Sequence, residues 1–292
     1  MAHLIQAVAL GLLIGGVYAL MAAGLTLIFG VMRIINVAQG AFLVLVAMVT
    51  WWLWNRTGID PIVASLVTTP MMFGFGWLTF RLLIVRLRGS SPSMSVLLTF
   101  GLALVIEGVL NLTAGNKFKS ATPPYFEESF RVASISLPKA QVFGFLAAAG
   151  VLGVLYHVLN RTWTGRAIRA ATQNPAGAAL VGVSAAGTAA LAFAIGSATA
   201  GVGGSILSVL YPFFPASHYE WISRLLGIVV LGGLGSLPGA VAGAVILGLA
   251  ETLTATYGSL GWSTLVFYLV IMAVLLVRPQ GLFGARLRED VA

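Results

Sequence analysis

The sequence predicts an all-α integral membrane protein, a single polytopic bundle of about eight or nine transmembrane helices, some of them short or broken. Three observations carry this expectation. Of 292 residues, 59% are hydrophobic and 8% charged, against roughly 25% charged in an ordinary soluble domain, and the mean hydropathy is +1.00. The apolar residues form continuous runs rather than alternating, which favours helices over a barrel. The Lys and Arg residues, which set a net charge of +8, sit in short gaps between those runs, where they mark sidedness rather than a nucleic-acid surface. A soluble or disordered chain is excluded, and no nucleic-acid partner is expected; the surrounding partner is a lipid bilayer. The chain has no cysteine, which removes disulfides, a thiol nucleophile and zinc–thiolate chemistry.

Crossing a hydrocarbon core of about 30 Å takes about 20 apolar helical residues. The runs occupy 4–30, 37–54, 62–80, 93–112, 140–159, 184–209, 224–257 and 262–277. No Lys or Arg precedes Arg33, so the first run lacks the positive region of a secretory signal and is expected to remain as a span. The gaps holding Arg81, Arg86 and Arg88, then Arg161, Arg166 and Arg169, then Arg278, Arg286 and Arg288 are all expected to be cytoplasmic. The 278–292 tail is therefore cytoplasmic, and the N-terminus and the 113–139 loop lie outside. Parity then requires 224–257 to cross an even number of times. That run is short for two spans and holds Leu231-Gly-Gly-Leu-Gly-Ser-Leu-Pro-Gly239 in its middle. Two short or broken helices meeting at this point are expected, since transporters tolerate unwound backbone where it is buried or faces a water-filled path. Residues 130–137 partly alternate and could form a short strand. A loose echo links Gly30–Phe42 with Gly232–Val241, each a glycine-flanked polar break. The expected topology puts both breaks near one face, which does not favour an inverted relation between them.

The chemistry on offer is sparse. Only Glu107 and Glu251 among the acids fall inside the runs, which makes them functional candidates by default. His3, His157 and His218 are far apart, and no hydrolase, metal or phosphate-loop motif is present. The chain is not expected to be an enzyme or to bind a cofactor, and any ATP with its magnesium is hydrolysed by partner subunits. Asn36, Gln39, Gly40, Gly235 and Ser236 at the two breaks are candidates for a translocation pathway, where uncharged amides, a hydroxyl and freed backbone groups contact a zwitterion. The competing reading is that they only satisfy helix ends.

Residues 161–183 form a cytoplasmic segment longer than topology requires. Thr164 is expected to cap a helix over about 165–173. Asn174 is expected to cap a second helix, with Pro175 at its first position and Gly182 in the closing turn. Arg166 and Arg169 at i, i+3 share one face, and Ala176, Ala178 and Ala179 give a small-residue face suited to a groove in a partner.

Four segments together resemble the LivH-type permeases, membrane subunits of branched-chain amino acid ATP-binding cassette importers. They are Gly24–Gly40, the stretch Gly165-Arg-Ala167-Ile-Arg169-Ala followed by Ala178, Ala179 and Gly182, the stretch Gly232–Ala240, and Arg278–Phe283. Val37 and Gln39 stand where that family usually has Phe and His, and Asn174 where it has an acidic residue. The resemblance implies a LivM-like second permease, two ATPase subunits, a periplasmic binding protein, and a multi-pass place in the bacterial inner membrane. It also implies that Thr164, Gly165, Arg166, Ala167, Arg169, Asn174, Ala178, Ala179 and Gly182 couple to the ATPases. Related permeases carry urea, short amides or aromatic acids, which are the alternative substrates; a stand-alone gradient-driven carrier is the alternative mechanism.

Overall fold

Each apolar run becomes helix in the computed structural model, which describes residues 2–87, 92–132 and 135–284. Arg88, Arg286 and Arg288, the rest of the 285–292 tail, and Ala133 and Ser134 lie outside the described residues. The helices are α1 (Ala2–Met32), α2 (Gln39–Thr57), α3 (Pro61–Leu82), α4 (Pro92–Ala114), α5 (Lys139–Arg161), α6 (Trp163–Gln173), α7 (Pro175–Leu180), α8 (Ala185–Leu210), α9 (His218–Gly232), α10 (Leu237–Tyr257) and α11 (Leu260–Val277). Their ends follow local rules. Asp60 caps α3 by accepting from Ile62 N–H at 2.8 Å, Ser184 caps α8, and Gly58 closes α2 with a φ of 71°.

Among the described residues, six helices are long and apolar enough to cross a bilayer by length and composition: α1, α3, α4, α5, α8 and α10. Reaching eight or nine crossings would depend on α2, α9 and α11, which are not among them. The run 224–257 does divide at a break, as expected, into the 15-residue α9 and the 21-residue α10. However, α9 starts six residues before the apolar run, and so takes in His218 and Glu220. The single strand expected over 130–137 is instead an antiparallel hairpin of β1 (Ser129–Val132) and β2 (Ile135–Pro138), with Phe130 opposite Leu137.

Two antiparallel pairs build the bundle. Along α1 and α10, Gly11 meets Leu249 and Gly15 meets Val245, and just before α10 begins Gly235 meets Gly30. Along α3 and α8, Thr69 meets Gly201 and Gly76 meets Ala194 and Ser197. The pairs join where α1 crosses α8. A Cβ on Gly24 would overlap the carbonyl oxygen of Gly196, and one on Gly196 would stand 2.7 Å from that of Gly24. Small residues permit this approach, and without water the contact is held by packing and interhelical hydrogen bonds. Thr50 and Thr68 supply such bonds to Ser205, at 2.9 and 3.1 Å, tying α2 and α3 to α8.

The order α1–α4 therefore recurs in α8–α11 with every helix reversed: a long helix, a break, a short helix starting deep in the bundle, then two more. This is an inverted-repeat arrangement of the kind found in transporters. The segments that echo in sequence, 30–42 and 232–241, are not its equivalents. They touch each other at one end of the bundle through Gly30 and Gly235, which agrees with the expected common face. Arg33, Arg81, Arg86, Arg161, Arg166, Arg169 and Arg278 gather at that end, with no acidic residue beside them among the described residues.

Candidate functional site

The most distinct feature of the basic end is the helical corner formed by α6 and α7. Thr162, not Thr164, caps α6: its hydroxyl accepts from Gly165 N–H at 3.3 Å and donates to Val158 O at 2.6 Å. One residue thus ends α5 and starts α6, which forces the two helices close together. Gly165 fills the angle, since a Cβ there would overlap the Leu159 carbonyl oxygen and lie 2.5 Å from that of Val158. Thr164 is the second residue of α6, and Ala167 sits half-buried along it.

Arg166 and Arg169 do not act as a pair. Arg169 turns back and donates from Nη1 to Leu159 O, with Asn160 Oδ1 at 3.5 Å, so it satisfies orphan groups at the end of α5. Arg166 is exposed, with its guanidinium 5.5 Å from the centre of the Trp163 ring. Asn174 caps α7 by accepting from Gly177 N–H at 2.9 Å. Gly182, with a φ of 81°, closes the turn; its N–H and that of Val183 donate to Ala179 O and Ala178 O at 3.1 and 3.0 Å. This is a complete Schellman motif. It turns Ala178 inward, to 4% exposure, so the expected face of three alanines is not presented. Ala176 and Ala179 remain exposed, but the outer surface is dominated by Trp163, Leu180 and Val181, at 69%, 90% and 75% exposure.

The polar breaks separate into two places. Asn36 and Gln39 are fully buried. Asn36 Nδ2 donates to Gln39 Oε1 at 3.3 Å, and Gln39 Nε2 donates to Gly196 O at 3.1 Å, which fixes the start of α2 at the α1–α8 crossing. Gly40 lets the start of α9 lie across it, since a Cβ would stand 2.5 Å from His218 O. Gly235 and Ser236 instead line a cavity of about 710 Å³ at the basic end, between α1, α5, α6 and α10, whose wall also includes Thr26, Leu155, Ile168 and Arg169. Ser236 also caps α10, accepting from Gly239 N–H at 3.1 Å.

Neither intramembrane acid is isolated. Glu107 Oε2 lies 3.0 Å from His218 Nε2, and Glu251 accepts from Arg224 Nη1 at 2.7 Å and from the Tyr18 hydroxyl at 2.8 Å. Arg224 is the functional candidate that the sequence reading missed. A basic residue at the very start of an apolar run, one turn after Glu220, was the signal for it.

The chain matches, over residues 7–275, the family model described as branched-chain amino acid transport system / permease component. It belongs to that permease family. The permease is 29% identical over 294 residues to the high-affinity branched-chain amino acid transport system permease protein LivH of Escherichia coli K12, covering 94% of this chain and 93% of LivH. It is 28% identical to BraD of Pseudomonas aeruginosa, covering 97% and 96%, and 26% identical to the probable LivH of Methanocaldococcus jannaschii, covering 91% and 88%. No solved structure matches. The permease is thus a multi-pass membrane protein of a transport family whose relatives named here are permease subunits.

Two of the permease's sequence signatures form one device. After α11, Leu282 N–H donates to Leu231 O at 2.8 Å and Phe283 N–H to Gly232 O at 3.0 Å, while Arg278 Nη1 donates to Leu282 O at 3.0 Å. The 278–284 segment is a strap that caps the end of α9. Gly281 allows the turn, with a φ of 76° and its missing Cβ 2.5 Å from Val230 O. Gly281→Val should cost about 1–3 kcal/mol from the left-handed φ alone and free the strap as well. Thermal unfolding of the purified protein, with protease sensitivity at the strap, measures this; an unchanged melting temperature with an intact strap contradicts it.

Proposed function

We propose that this permease is the membrane subunit of an ATP-binding cassette importer for branched-chain or other hydrophobic amino acids. It works with a LivM-like second permease, two ATPase subunits and a periplasmic binding protein, in the bacterial inner membrane with the basic end in the cytoplasm. The family supports the transport class, and the positive-inside rule supports the orientation, because basic residues without acids collect at one end. Magnesium and ATP belong to the ATPase subunits; this chain's part is mechanical.

The single observation that carries the reading is the α6–α7 corner. It is tied to α5 through Thr162, Gly165 and Arg169 and closed towards α8 by a Schellman turn, while Trp163, Leu180, Val181 and Arg166 face outward. A rigid foot of this kind transmits a push at the basic end into α5 and α8, and α8 crosses α1 at the centre of the bundle. Coupling of two sites needs such an element, with its two states biased from both ends. The cavity beside the foot is walled largely by leucine, isoleucine and valine, with Thr26, Ser236, Asn160 and Arg169 among its polar lining, which suits an aliphatic side chain better than a cationic one.

The test is reconstitution of the permease in proteoliposomes with and without its partner subunits and binding protein. Labelled leucine should accumulate only with the full set and ATP, and unlabelled isoleucine and valine should compete. Competition by urea, short amides or aromatic acids in place of these would reassign the substrate. Uptake by the chain alone down an ion gradient would overturn the importer reading.

A further inference from the structure

The cluster around Arg224 has no part in the coupling route described above. Arg224, 7% exposed, sits on α9 and faces two carboxylates. Glu251 on α10 is 2.7 Å from Nη1, and Glu220, one turn earlier on α9 itself, is 3.1 Å from Nε and from Nη2. Nη1 also donates to the Tyr18 hydroxyl of α1 at 3.1 Å, and Tyr18 in turn donates to Glu251 at 2.8 Å. The Tyr211 hydroxyl stands 3.2 Å from that of Tyr18. The rings of Trp221 and Phe267 flank the guanidinium, with centres 5.9 and 5.4 Å away.

Separating an ordinary buried ion pair strands both charges, which is strongly unfavourable. Here each group keeps a hydrogen-bond partner, and Arg224 keeps an opposite charge as well. If α9 shifts from α10, Arg224 keeps Glu220, which rides on the same helix and whose side chain is 59% exposed. Glu251 keeps the Tyr18 hydroxyl, because that bond lies within the α1–α10 pair, which is packed through Gly15 and Gly248. Two acids serve one base, and only one of the two contacts crosses between helices.

We propose that Arg224, Glu251, Glu220 and Tyr18 form a releasable latch between the half-helix α9 and the α1–α10 pair, closed in this structure and opened when α9 moves during transport. Arg224 is a positioning residue: it sets where α9 stands and does not touch solute. The role in transport rests on the importer reading, but the latch itself is measurable without transport.

The absence of cysteine gives a clean background for labelling. Ser223→Cys on α9 and Thr256→Cys on α10, both at exposed positions, carry spin labels in the full-length chain in lipid nanodiscs. Pulsed electron double resonance then reads the α9–α10 distance. Glu251→Gln removes the interhelical charge and should raise the ratio of the longer to the shorter distance by about tenfold. Glu220→Gln removes the fall-back partner and should lower that ratio. Opposite shifts support a latch. No change in either variant, or shifts in the same direction, means a static staple and overturns the proposal. If Glu251→Gln does not accumulate, Arg224→Lys replaces it. It keeps the charge but cannot span both acids, so it should lengthen the distance, and an unchanged distribution overturns the proposal equally. These outcomes are independent of ATP-driven uptake, so failure of the importer reading would show separately in the proteoliposome assay.

Discussion

Gly24→Val is expected to abolish the folded permease. A side chain at this position meets backbone, the Gly196 carbonyl, with the Thr199 hydroxyl and Gln39 Nε2 behind it. Overpacking costs about 1–3 kcal/mol where neighbours can shift, occasionally more. Backbone held inside two crossed helices cannot shift without separating α1 from α8. Gln39 would also lose its acceptor, Gly196 O, which leaves a buried amide unpaired at a further cost of about 1–3 kcal/mol. Together these come to about 2–6 kcal/mol, which reaches the lower end of the whole stability of many domains, about 5–15 kcal/mol. The readout is the yield of monodisperse protein in mild detergent and its melting temperature. Near-normal yield and melting would show that the α1–α8 crossing is not the keystone of the bundle. Gly74, with open space around its missing Cβ, provides the control: Gly74→Val meets no neighbour and should leave yield and melting nearly unchanged, since valine is the better helix former of the two.

The largest functional effect is expected at the α6–α7 corner. Gly165→Val drives α6 off the end of α5, because its Cβ position is already occupied by the Leu159 carbonyl. In the reconstituted importer, uptake should fall by at least about tenfold, within the range of coupling energies between distant sites, while the transmembrane helices stay folded. Arg166→Glu makes the point without disturbing the corner. Arg166 is exposed, its ring contact with Trp163 is long, and reversing its charge alters only what the foot offers a partner. ATP hydrolysis should continue with reduced uptake and an unchanged melting temperature. Wild-type uptake in Arg166→Glu and Gly165→Val together would remove the foot from the mechanism.

The helices were legible because their cause is local. A continuous apolar run of about 20 residues in lipid must satisfy its own backbone, and a helix does so. The break at 233–236 was legible for the same reason, through its glycines and proline, and so were the caps at Asn174 and Gly182. Thr162 against Thr164 shows the limit. Both threonines can cap a helix, and the choice fell to Thr162 because only then does Gly165 meet the closing turn of α5. Ala178 was misplaced outward for a similar reason: its direction is set by the Schellman turn that follows, not by its size.

The pairing of charges was the least legible part. Arg224 meets Tyr18 from 206 positions away and Glu251 from 27, and His218 meets Glu107 from 111. Sequence patterns reach one or two helical turns, so Glu107 and Glu251 looked alone and Arg224 looked like the edge of an apolar run. The inverted repeat was hidden too. Its halves share the order of their elements, run in opposite directions and do not share residues, and the only echo in sequence joined two segments that touch across the bundle instead of matching.

By itself, the sequence determined the solvent of this protein, the position of its helices and breaks, the end that carries its basic residues, and its kinship with amino acid permeases. All of these follow from the composition of short stretches and from the demand that lipid makes on unpaired backbone. The tertiary structure alone decided which buried charges neutralise each other, which small residues mark a helix crossing, and which face of the basic corner is presented outward. Those depend on distances between segments far apart in the chain, and in a membrane they are set by close packing rather than by polarity.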